Sequence, residues 1–294
     1  FVFFLKGHLA AQTAVSQFDS KIIRDWNALF LELDRNAPGF RPCPAATAAG
    51  YTGFAFYEAV VPGMNGFQSQ ARLFPGLNIP AAQSGAVNWP AAANESYAFM
   101  LSKFFDYLSA TQPVNFSKIN ALRQNWHNQL AATTTSAALS AGESRGQAVA
   151  QAVWAWFETD AAAKNAWLSA QPTSYIPPAA PGLWQPTPVD NAKALFPFYG
   201  NVRTFALPES EKTALPPPTF SEATGSIWYT QAKEVFDDVN EVRAGSAAGQ
   251  EKEWRAQFWS DDLLDLTFSP PMRLIAEANQ LAEDENLNLA DAVL

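Results

Sequence analysis

The sequence predicts an all-α fold: a multi-helix bundle with a long, Pro-rich, ordered strap. Three observations lead there. Apolar residues recur at three-to-four spacing in one segment after another, as on a helix with one buried face. No stretch alternates apolar and polar residues as a half-buried strand would. Eleven of the 21 prolines fall between Pro172 and Pro218, which bars regular helix there. That stretch also carries Trp184, Phe196, Phe198, Tyr199 and Phe205, too many aromatics for a loose linker. The chain divides accordingly into a helical region (1–170), the strap packed on it (171–225), and a second helical region (226–294).

The first helix is expected over 16–36. Phe18, Ile22, Trp26, Leu29, Phe30 and Leu33 share a face, and Ser16 with Asp19 fits a capping box. Gly39, Pro42 and Pro44 should end it. An Ala-rich, aromatic helix follows over 45–61, stopped by Pro62-Gly63, with Glu58 as its only acid. After a loop rich in Gly and Pro, helices are expected over 94–108 and 117–130. A fifth opens at a second capping-box pattern, Ser140 and Glu143, and carries Val149, Val153, Trp154 and Phe157.

Beyond the strap a helix begins near Ser226, with Trp228, Ala232, Val235, Val239 and Val242 on one face. Another runs over about 250–259. A third starts at Pro270-Pro271, where proline suits the first helical turn, and contains Ile275, Ala278 and Leu281. The last residues read as a cap followed by two turns of helix. The expectation is a native polypeptide that continues past Leu294. Phe1 in place of Met marks a processed or partial product, and Phe1-Val2-Phe3-Phe4-Leu5 is too short for a signal-peptide core.

Composition excludes several classes. Nineteen Lys and Arg face 28 Asp and Glu, a net charge of -9, so nucleic acid is not an expected partner. A single cysteine rules out an internal disulfide framework and a Cys-rich zinc site. No apolar run is long enough to cross a membrane.

The chemistry-bearing residues read as structural. Asp261 and Asp262 are adjacent, with Asp265 nearby, and fit a helix end with solvated carboxylates better than a glycosidase pair held across a cleft. Asp284, Asn286 and Asn288 match the first three ligand positions of an EF-hand loop, but Leu289 stands where the loop needs Gly, so helix capping is the better reading. His127 fits a surface or interhelical hydrogen bond, and His8 lies near a terminus. Cys43, between two prolines, has no visible activator. Trp26, Trp126, Trp154, Trp228 and Trp254 sit in helical patterns as core or strap contacts. Trp89 and Trp184 are the exposed candidates for a sugar platform, a weak reading. No catalytic, cofactor-binding or metal residue is assigned within these residues.

Several segments in order resemble the vanadium-dependent haloperoxidases and the related PAP2 acid phosphatases. They are Arg24-Asp25-Trp26-Asn27 through Arg41-Pro42, and Tyr57-Glu58-Ala59-Val60-Val61-Pro62-Gly63-Met64. In the strap they are Tyr175-Ile176-Pro177-Pro178, the stretch from Pro181 to Pro188, and Arg203-Thr204-Phe205. Phe258-Trp259-Ser260-Asp261-Asp262 and Leu266-Thr267-Phe268-Ser269-Pro270-Pro271 look like the lead-in to that family's catalytic half. The resemblance implies an N-terminal helical half that packs around a catalytic bundle.

The family's chemistry lies in Lys-x6-Arg-Pro, Pro-Ser-Gly-His and Ser-Arg-x5-His segments around vanadate or phosphate, and none occurs here. The only Arg-Pro is Arg41-Pro42, and its Lys position holds Asp34. The implied function is therefore the N-terminal portion of a peroxide-dependent halide oxidase or a phosphatase. Its catalytic residues would lie beyond Leu294, and vanadate is expected only if those motifs exist. The rival reading is a non-catalytic structural or assembly protein on the same scaffold. The resemblance and the processed start favour a secreted or periplasmic location. The expected partner is a second copy or the missing C-terminal part.

Overall fold

The computed structural model describes residues 13–38, 42–164, 166–260 and 267–294. Ten α-helices and several short 3-10 turns make up the regular structure of those residues, with one isolated β-bridge between Asp19 and Asn288. The helices are α1 (Lys21–Asn36), α2 (Pro42–Val60), α3 (Trp89–Phe104), α4 (Leu108–Thr111) and α5 (Pro113–Ala131). They continue with α6 (Ser136–Phe157), α7 (Ile227–Arg243), α8 (Ala247–Trp259), α9 (Pro270–Asp284) and α10 (Leu289–Val293).

α3 is the central helix. Its side chains are buried nearly all round, from Trp89 to Phe104, as expected of a helix enclosed by others. It packs against α6, α2, α5 and α1. The α3–α6 contact is close because α6 presents Gly142 and Gly146, one turn apart. A Cβ on Gly142 would lie 2.2 Å from the Asn88 carbonyl oxygen, and one on Gly146 would lie 2.2 Å from that of Ala92. α1 supplies Ile22, Trp26, Phe30 and Leu33 to the same core. Trp26 stacks on Tyr97 of α3, and its Nε1 donates to Asn94 Oδ1 at 3.0 Å.

Several boundaries differ from the sequence reading, each for a local reason. α3 begins at Trp89, because Asn88 Oδ1 accepts from the Ala91 N–H at 2.9 Å and Pro90 occupies the first turn. Ser16 lies in a separate 3-10 turn, and α1 starts at Lys21 after Ser20. Pro42 and Pro44 open α2 instead of ending α1. α6 starts at Ser136, capped by Thr135, which leaves Ser140 and Glu143 inside the helix. α5 begins at Pro113, earlier than expected.

The Pro-rich stretch rests on the helices through its middle and again at its end, where Phe220 packs edge-on against Trp228 of α7 at 4.9 Å. Tyr199, Val202, Arg203 and Phe205 pack on α2 and α6, whereas Ile176, Val189 and Leu215 on either side are almost fully exposed. α9 returns to α1. There the buried Asp34 carboxylate accepts from the Ser269 N–H at 2.6 Å and from Ser269 Oγ at 2.9 Å. Farther along, Asn279 Nδ2 donates to the Arg24 carbonyl at 3.0 Å, and Arg24 pairs with Glu283 at 3.1 Å. Leu281 of the same helix points to solvent. α10 is capped by Asn288, whose Oδ1 accepts from the N–H groups of Ala290 and Asp291.

Candidate functional site

Three polar constellations are built into the bundle. The first is a cleft of about 340 Å³ between α3, α5 and α6, walled by Phe99, Phe116 and Ile119. Glu95 lies at its base and accepts from Arg123 Nε at 2.7 and 2.9 Å. Burial pushes the Glu95 carboxyl above its ordinary range, against the opposing pull of Arg123. One turn beyond Arg123, His127 Nδ1 meets Glu143 Oε1 of α6 at 2.5 Å. This is the interhelical histidine bond that the sequence suggested. The Glu95–Arg123 pair was not foreseen. Its one sequence signal is the adjacent Asn94 and Glu95 in an otherwise apolar helix.

The second constellation explains the segment 57–64. Arg145 reaches from α6 to the end of α2 and donates to three carbonyl oxygens: Glu58 at 2.7 Å, Ala59 at 3.1 Å and Pro80 at 2.7 Å. Glu58 Oε1 in turn accepts from the N–H groups of Gln70 and Ala71 at 2.7 and 3.2 Å. Gly63 lies against Trp89, whose ring a Cβ would meet at 2.2 Å. Together these groups hold the long loop between α2 and α3 on the bundle.

The third fastens the strap. The Arg203 guanidinium stacks over Trp156 at 4.1 Å and donates to Tyr51 Oη, the Trp156 carbonyl and Thr159 Oγ1. The Arg203 N–H donates to buried Asp160 at 2.8 Å. Burial raises the Tyr51 hydroxyl to about 12, with Arg203 opposing, so Tyr51 stays a neutral hydrogen-bonding group. Phe205 inserts beside Tyr51, Phe54, Phe74 and Trp156.

An oxyanion such as vanadate needs several cationic or N–H donors converging on one point. Four of the interior cations are engaged elsewhere. Arg145 spends its donors on carbonyls, Arg203 on the strap anchor, and Arg123 faces Glu95, while His127 is engaged by Glu143. Asp34 holds Ser269. Among the described residues no group of three or more His, Cys, Asp or Glu side chains is placed to hold a metal ion.

The remaining sequence candidates separate cleanly. Trp89, read as exposed, is fully buried, and its Nε1 donates to the Thr13 carbonyl at 2.9 Å. Trp184 is exposed, and so is Trp254, expected as a core or strap contact. Asn288 caps α10, while Asp284 accepts from Gln280. Cys43 is exposed at the start of α2. His8, Arg41, Asp261, Asp262 and Asp265 lie outside the described residues. No described helix is long and apolar enough to cross a membrane.

The fold of the described residues is vanadium-haloperoxidase-like. In particular, the chain is similar to a solved bacterial vanadium-dependent iodoperoxidase, with a TM-score of 0.76 and 21% identity. The match covers 94% of this chain and 63% of that one, so the chain spans less than two thirds of the neighbour's length. No family model matches the sequence. No curated protein matches it either.

Proposed function

We propose that this chain is the N-terminal helical portion of a vanadium haloperoxidase-like enzyme. The oxyanion-binding residues would be supplied by polypeptide beyond Leu294. The observation that carries the reading is the combination of nearly full coverage of this chain with 63% coverage of the iodoperoxidase neighbour.

In this reading the chain's own work is positional. Arg145 and Glu58 fix the loop between α2 and α3, Arg203 and Phe205 fix the strap, and Asp34 fixes the start of α9. Peroxide-dependent halide oxidation is the preferred activity of the complete enzyme, and phosphate monoester hydrolysis is the alternative.

The test is the intact mass of the native polypeptide with C-terminal peptide sequencing, followed by vanadate-dependent halide oxidation assayed with peroxide. A mass well above 32.0 kDa, with peptides carrying the Lys-x6-Arg-Pro and Pro-Ser-Gly-His segments, is expected. A native chain of 32.0 kDa with no vanadate-dependent activity would overturn the proposal and leave the assembly reading.

A further inference from the structure

The cleft between α3, α5 and α6 plays no part in holding the loop or the strap. Its volume is about 340 Å³. At about 30 Å³ for each water-sized group it takes roughly a dozen non-hydrogen atoms, the size of phenylalanine. Ala98, Phe99, Phe116 and Ile119 give it apolar walls, and the exposed amides of Asn120 and Gln147 line it beside them.

The two charged groups in the cleft are each only partly satisfied. The Glu95 side chain is 8% exposed, and among the described residues its carboxylate accepts from one donor alone, Arg123 Nε, at 2.7 and 2.9 Å. A carboxylate offers about four lone-pair sites, so this buried group has room for a further donor. Burial pushes its carboxyl above the ordinary range even with Arg123 beside it, the mark of a charge that one cation does not fully compensate. Arg123 is the converse. Its side chain is 45% exposed, and Nη1 and Nη2 donate to no described group. That leaves free the forked edge of the guanidinium, which matches a carboxylate through two parallel hydrogen bonds. The backbone beneath it is fixed, because the Arg123 carbonyl accepts from Asn94 Nδ2 at 3.0 Å and Asn94 is itself held by Trp26. The next pair along α5, His127 with Glu143, is closed on itself.

An unfilled acceptor and an unfilled donor fork thus stand side by side against apolar walls, and their charges sum to zero. A lone anion is opposed by Glu95, and a lone cation by Arg123. A ligand carrying both charges on one carbon satisfies both groups. We propose that the cleft binds a free apolar α-amino acid as its zwitterion, with the ammonium on Glu95, the carboxylate on the Nη1 and Nη2 edge of Arg123, and the side chain against Phe99, Phe116 and Ile119.

The test is calorimetric titration of the 294-residue chain with phenylalanine, with 3-phenylpropionate, which lacks the ammonium, and with phenylalaninamide, which lacks the carboxylate. Phenylalanine is expected to bind, and each analogue to bind at least about tenfold more weakly for want of one charged partner. Glycine, which keeps both charges and has no side chain, should also bind at least about tenfold more weakly. Glu95→Gln should remove the preference over 3-phenylpropionate, and Arg123→Gln the preference over phenylalaninamide. Ser117→Trp, at an exposed position lining the cleft, should block phenylalanine while helicity is unchanged. No binding of phenylalanine by the folded chain, equal or tighter binding of either analogue, or binding indifferent to Glu95→Gln and Ser117→Trp would overturn the proposal. None of these readouts depends on vanadate or on polypeptide beyond Leu294, so they stand apart from the proposed activity.

Discussion

Arg145 shows how one side chain sets the course of a long loop. It is buried, and its donors meet the carbonyl oxygens of Glu58, Ala59 and Pro80. Replacing it with Met keeps the length and removes the donors. Each buried carbonyl left without a donor costs about 1–3 kcal/mol, so Arg145→Met should lose about 3 kcal/mol or more in urea denaturation. Glu95 provides a pH readout. Its carboxyl is raised above the ordinary range, chiefly by burial, so the folded chain holds that proton more tightly than the unfolded chain does. Its contribution therefore favours folding at low pH. That contribution is lost as pH rises from the ordinary glutamate value of about 4.3 through the raised folded value. Glu95→Gln removes this titration. The stability of Glu95→Gln relative to the parent should rise across that window, measured by denaturation at a series of pH values. A flat difference would show that Arg123 fully offsets the burial.

At the scale of the element, helix contacts are decided by the smallest residues. Gly146 touches the α3 backbone, and an added Cβ would force α6 away from α3. Gly146→Ala should cost about 3 kcal/mol, at the upper end of overpacking effects, and lower the melting temperature accordingly. Gly53 offers the contrast. It lies exposed within α2 and has nothing within 4 Å of its Cβ position. Gly53→Ala should stabilise by about 0.5–1 kcal/mol, the helix-propensity difference. The strap is the other informative element. It has almost no hydrogen-bond ladder of its own and depends on the Arg203 and Phe205 anchors. Phe205→Ala should cost about 2 kcal/mol, less than a fully buried Phe because the ring is half-exposed. It should also speed proteolytic cleavage within 171–225 while leaving the helical signal unchanged.

On the scale of the whole molecule, two kinds of surface remain after the core is closed. The cleft above Glu95 is small and lined by α3, α5 and α6. The α7–α8 hairpin stands out with its apolar residues in water. The first is a local gap between packed helices; the second is an apolar face in water. The complete enzyme, if assembled as proposed, should bind vanadate with the strap anchor intact. Arg203→Ala should then lower halide oxidation through loss of order and not through loss of an oxyanion ligand. Its vanadate-saturation curve should keep its midpoint while the maximal rate falls.

Much of the fold was legible in the sequence. The periodicity of Trp26, Phe30 and Leu33, the proline-dense strap, the Pro270 helix start and the Asn288 cap are local signals, because helix phase and capping are written in neighbouring residues. The Tyr57–Met64 and Arg203–Phe205 segments were visible as patterns, but their work as loop and strap anchors depends on Arg145, Asp160 and Trp156, which lie far away in the chain. The Glu95–Arg123 pair joins residues 28 positions apart, and no spacing rule announces it. The sequence by itself determined that the chain is helical on both sides of a proline-dense strap, though not where each helix begins. Only the tertiary structure decided which apolar faces are spent. Trp89 is buried because α3 is surrounded, whereas Val235 and Phe236 of the equally amphipathic α7 are exposed. Burial belongs to pairs of elements, and a single amphipathic helix carries the same pattern whether its partner lies in its own chain or in another.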